Sequence, residues 1–212
     1  MKSSSKNLLL LSSFCLFMVV TRIIKTEYFS FVFMFWNLFL AFVPYLLSSY
    51  LFKKEDTSTF KLLALSALWV LFLPNAPYML TDLFHLHQRT YLPIWYDLVL
   101  ILSFALTGLY LFYLSINQMV RVVKARLPKL HKPFFLVVLF IAVSYGVYIG
   151  RFLRVNSWDV LNPVGLARTC LSPLFHLPGL KDVSCFTFIY SIFLSFLYLI
   201  FNPHFKAKQY DT

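Results

Sequence analysis

Apolar residues run through this chain in six long blocks, and the polar residues gather in the gaps between them. A bilayer core takes about 20 apolar residues as an α-helix. The blocks near Asn7–Ile24, Tyr28–Phe52, from Phe60 onward, Trp95–Met119, Phe134–Leu153 and Ser184–Phe201 have that character. They predict an all-α fold, a polytopic integral membrane helical bundle of about six transmembrane helices. Pro44 falls inside the second block and predicts a kink, because proline lacks the backbone donor that the helix needs. The first block follows Lys2 and Lys6 like a signal peptide. No small-x-small cleavage pattern follows it, so it is expected to stay as the first transmembrane helix.

The third block differs from the rest. Phe60–Leu73 would extend only ~21 Å as a helix, short of the ~30 Å core. Prolines at 74 and 77 then interrupt it, so the third helix is expected to be broken or kinked there. If the helix continued, Asn75, Asp82, His85 and Arg89 would share one face. Polar groups in lipid are costly, and several kept together point to a use.

The segment from 155 to 182 is the longest connection. Its Asn-Pro, Ser-Pro and Leu-Pro-Gly steps exclude one continuous helix. Its apolar content predicts an extracytoplasmic interfacial segment or a lid. The whole chain, 1–212, is expected to form a single transmembrane domain that includes this segment.

Charge orients the helices. With a cytoplasmic N-terminus, twelve of the 19 Lys and Arg fall on the inner side and seven on the outer. The positive-inside rule therefore predicts both termini in the cytoplasm. Arg22 and Lys25 count here among the outer loop bases. The net charge of +11 is concentrated in short connections, which suits membrane topology and anionic headgroups and argues against nucleic acid. Residues 121–132 hold Arg121, Lys124, Arg126, Lys129 and Lys132 and no acid. They are either a topology anchor or a contact for anionic lipids. The three cysteines show no CxxC spacing and are expected to stay unpaired.

This orientation gathers polar residues on the outer side. Asn75, Asp82 and His85 come from the third segment and Asp97 from the start of the fourth. Arg151, Arg154, Asn156 and Asp159 come from the end of the fifth. The two arginines would snorkel, pair with Asp82, Asp97 or Asp159, or grip a phosphate or carboxylate in forked geometry. Asp82 and His85 are also candidate metal ligands, with Asp97 or Asp159 completing a site and His87 nearby. Gly146 and Gly150 form a small-xxx-small pair suited to close helix approach. Asn156 or Ser157 is a candidate cap and Trp158 an interface anchor.

Three ordered motifs carry a resemblance. They are Phe72-Leu-Pro-Asn-Ala-Pro-Tyr78 with Thr81-Asp-Leu-Phe-His85, then Trp95-Tyr-Asp97, then Gly150-Arg-Phe-Leu-Arg-Val-Asn-Ser-Trp-Asp159. With them the chain resembles the bacterial membrane family termed domain of unknown function 1361. The resemblance implies a bacterial integral membrane protein and supplies no catalytic residue or cofactor.

The leading expectation is a protein of the bacterial cytoplasmic membrane with an outward-facing polar pocket. Asn75, Asp82, His85, Asp97, Arg151, Arg154 and Asp159 would bind an anionic lipid headgroup or envelope intermediate there. The alternatives are an intramembrane enzyme acting on a lipid-linked substrate, a structural or partner subunit of a membrane complex, and a small solute transporter.

Overall fold

The computed structural model describes residues 2–54, 56–86, 92–155, 159, 162–175 and 177–201. His87, Arg89, Asn156, Ser157 and Trp158 lie outside the described residues. The helices are α1 (Lys2–Thr26), α2 (Phe33–Lys53), α3 (Thr59–Phe72), α4 (Asn75–Tyr78), α5 (Ile94–Arg126), α6 (Lys132–Phe152), α7 (Pro163–Leu171) and α8 (Leu177–Phe201). Met79–His85 and Ser172–Phe175 are 3₁₀ stretches. Among the described residues six helical segments are long and apolar enough to cross a membrane, the third running from Thr59 to His85. Many of their large apolar side chains, such as Leu9, Phe17, Phe60, Leu63, Phe188 and Phe196, are exposed. Water would penalise such faces, whereas lipid tails accept them. The chain is thus an all-α, multi-pass membrane protein.

Two compact units divide it, residues 1–116 and 117–212. In unit 1 the axis is α5. Its residues Leu100, Ile101, Phe104, Ala105, Leu111 and Phe112 are fully buried. Tyr96 donates its hydroxyl to the Met18 carbonyl of α1 at 2.8 Å. Phe104 meets Phe35 of α2 edge-on. Ser115 joins three helices. It accepts from Trp69 Nε1–H of α3 at 2.7 Å. It also lies 3.0 Å from both the Pro44 carbonyl and the Ser48 hydroxyl of α2. Ser115 donates to Pro44, and the single Ser48 proton is shared between the Ser115 hydroxyl and the Tyr45 carbonyl, also 3.0 Å away.

The break in the third segment follows from its prolines. α3 ends at Phe72, and carbonyls around the break find local donors, Leu73 being the one that Pro77 deprives of its usual i+4 partner. Asn75 Nδ2 reaches the Phe72 carbonyl at 2.8 Å. The Ala76 and Tyr78 amides reach the Leu73 and Pro74 carbonyls at 3.4 and 3.0 Å. Opposite this break stands Gly108 of α5. A Cβ there would lie 2.8 Å from the Ala76 carbonyl oxygen, so only glycine allows this approach.

In unit 2, α6 packs along α8. Tyr148, Phe152, Phe186 and Tyr190 form a continuous aromatic contact between them. Tyr198 of α8 donates to Asn117 Oδ1 at 3.1 Å. The 155–182 connection contains α7, capped by Asn162 Oδ1 accepting from the Gly165 amide at 3.1 Å, with Pro163 in the first turn. Several boundaries differ from the sequence expectation: α1 starts at Lys2 and α2 at Phe33, not near Asn7 and Tyr28. α8 starts at Leu177, not near Ser184, because Pro178 and Gly179 occupy its first turn, where proline gives up no helical bond. α5 runs on to Arg126, past the expected end at Met119. Arg121, Lys124 and Arg126 are therefore helical; cations suit the negative end of a helix, and Pro128 follows as a stop.

Candidate functional site: a polar end on unit 1

Four segments of unit 1 bring polar side chains to one end: the close of α1, the start of α2, the Met79–His85 stretch and the start of α5. The strongest contact is one that local sequence did not show. Arg22 and Asp97 form a forked ion pair, Nε to Oδ1 at 2.7 Å and Nη2 to Oδ2 at 3.2 Å. The two side chains are 0% and 2% exposed. At that depth a charge without a partner is very costly, so the pair also ties α1 to α5. Arg22 is therefore no outer loop base. Nor does Asp97 await an arginine from the fifth segment, because Arg22 occupies both of its oxygens.

Phe31 completes this corner. Its ring lies 4.6 Å from the Arg22 guanidinium carbon, a cation–π contact. Phe31 is buried and has φ 68°, left-handed backbone that costs a bulky residue on the order of 1–2 kcal/mol. The turn between α1 and α2 holds that strain in order to seat the ring over the arginine.

The neighbouring contact joins an amide to a carboxylate. Asn37 Nδ2 donates to Asp82 Oδ2 at 3.0 Å, and Asp82 is buried. One turn away on each element, Phe33 meets the His85 ring edge-on at 5.6 Å. Phe33 also lies 6.1 Å from Phe31, so a chain of contacts runs from Asp97 through Arg22, Phe31 and Phe33 to His85. In a 3₁₀ helix, residues three apart eclipse, so Asp82 and His85 project from the same side. The expected single α-helical face through Asn75, Asp82 and His85 is not formed. The winding changes at Met79, and the Asn75 amide turns back onto Phe72.

Among the described residues no three His, Cys, Asp or Glu side chains cluster, so Asp82 and His85 have no third metal ligand of that kind there. In unit 2, Arg151 lies in the last turn of α6, where the helix dipole favours a cation. Arg154 follows the helix end, exposed and left-handed at φ 57°. Asp159 is half-buried, and its carbonyl accepts the Asn162 amide at 2.9 Å. All three cysteines are free thiols.

The family model described as protein of unknown function (DUF1361) matches residues 36–200. The chain belongs to this family. The match takes in Asn37, Asp82, His85 and Asp97, whereas Arg22 and Phe31 precede it. No curated protein and no solved structure matches.

Proposed function

We propose that this DUF1361 protein recognises the headgroup of an anionic lipid or lipid-linked envelope intermediate at the outer face of the bacterial cytoplasmic membrane, with both termini in the cytoplasm. The observation that carries the reading is the polar end of unit 1, where Asp82 and His85 share one side of a 3₁₀ stretch beside the Arg22–Asp97 pair. Membrane helices keep such groups where a polar partner visits. Asn75, Asp82 and His85 are the proposed contacts in unit 1. Asp97 positions Arg22. Arg151, Arg154 and Asp159 are a separate set of proposed contacts within unit 2, where the arginines would meet the anionic part of a headgroup.

Lipids co-purified with wild type and with His85→Ala and Arg154→Ala variants test this. Each variant should lose a headgroup class that wild type retains, and unchanged lipid profiles overturn the reading. Orientation is tested in a cysteine-free background. An impermeant maleimide should reach Cys at position 85 in intact cells but reach position 129 only after permeabilisation.

A second reading is an intramembrane enzyme acting on a lipid-linked substrate, with Asp82 and His85 as an acid–base pair. Their eclipsed placement favours it. Identical lipid extracts from wild-type and Asp82→Asn strains would remove its support.

A further inference from the structure

Where α5 ends and α6 begins, unit 2 has a surface cavity of about 250 Å³. Lys124, Lys129, His131 and Lys132 line it together with Val123 and Phe135. We infer that this cavity binds the phosphate of an anionic phospholipid headgroup. This goes beyond the reading above and does not depend on it.

Four observations converge. First, residues 121–132 contain five Lys or Arg and no acid. Second, among the described residues none of Lys124, Lys129 and Lys132 is ion-paired with a carboxylate. Third, the first turn of α6 has no acidic residue, and Lys132 is its first residue. A helix N-terminus is already positive, so a lysine there has the wrong sign for helix stability, and a bound anion corrects it. Fourth, the rim is apolar. Leu127, Leu130 and Phe134 are exposed beside the bases. A soluble anion has no use for such a rim, whereas the acyl chains of a phospholipid do. The last turn of α5 contributes Lys124 from the other wall, so the phosphate is met from two helices.

The test uses the full chain in mild detergent, with native mass spectrometry reading bound phosphatidylglycerol against phosphatidylcholine. Wild type should retain phosphatidylglycerol in clear preference. The Lys124→Gln/Lys129→Gln/Lys132→Gln variant should lose that preference, with affinity falling roughly fivefold per lysine and about 100-fold together. The same three positions changed to Arg should preserve it, which separates lost charge from lost fold. Lys61→Gln, which removes a base of unit 1 outside both proposed sites, should leave it intact, so a general loss of positive charge is not the cause. Equal retention of the two lipids, or a Gln variant that binds like wild type, overturns the proposal. So does inorganic phosphate at millimolar concentration displacing the lipid, since the site would then take a free anion.

Discussion

Arg22 and Lys132 are both cations at the edge of an apolar helix, and their surroundings are opposite. Arg22, in unit 1, is fully buried with both oxygens of Asp97 and the face of Phe31 around it. Lys132, in unit 2, is exposed at the first residue of α6 among bases of its own sign, with the Tyr198 ring 6.0 Å away. In unit 1 the chain supplies the countercharge itself. In unit 2 it leaves that to whatever the surface meets. A cation completed from within is chiefly architectural, while a cluster of one sign invites a ligand.

The sharpest way to break this contrast is Asp97→Ala. It strands a buried guanidinium and should cost about 3–5 kcal/mol, read as denaturant unfolding in detergent. Replacing both partners with Met and Leu should recover most of that loss. A single variant as stable as wild type would remove the architectural reading. Gly108→Ala comes next. Its Cβ must displace the Ala76 backbone, and overpacking of this kind costs roughly 1–3 kcal/mol. Ser115→Ala removes the acceptor from the buried Trp69 N–H and should cost about 1 kcal/mol, visible as a shifted unfolding midpoint and altered tryptophan fluorescence. On the other side of the comparison, the triple lysine-to-glutamine variant should move Tm by no more than about 2 °C while abolishing lipid preference. A large loss of stability there would make those lysines architectural too. The smallest effect concerns Cys170, in α7. Burial raises its thiol pKa, so less thiolate is present at pH 7.5 than on a free thiol. Alkylation should be correspondingly slow and should accelerate about tenfold per pH unit until the raised pKa is reached. Labelling at the rate of a model thiol would contradict this.

Much of this layout is local and therefore readable along the chain. Six apolar blocks mark the spans, and prolines at 74 and 77 mark the break, because each effect acts within a turn of its cause. The Arg22–Asp97 pair is different, since its partners are 75 residues apart and no spacing rule joins them. One signal was present: Arg22 sits inside Val19-Val20-Thr21-Arg22-Ile23-Ile24, a poor place for an ordinary loop base. Asn37, Gly108 and Ser115 left less trace. A single small or polar residue in an apolar helix looks like filler until its opposite helix is known. The length of α5 was hidden by its own charges, which resemble a loop on paper and behave as a helix end in space.

The 3₁₀ stretch Met79–His85 has one further consequence. Seven residues rise ~14 Å in that winding and only ~10.5 Å in an α-helix. Rewinding the stretch as α-helix would shorten the third span by about 3.5 Å and swing His85 roughly 60° out of line with Asp82. Membranes differ in thickness by a few Å, a change of the same size. The alignment of this pair is thus geared to how far the span is stretched, and a thinner bilayer would turn the imidazole away from the carboxylate.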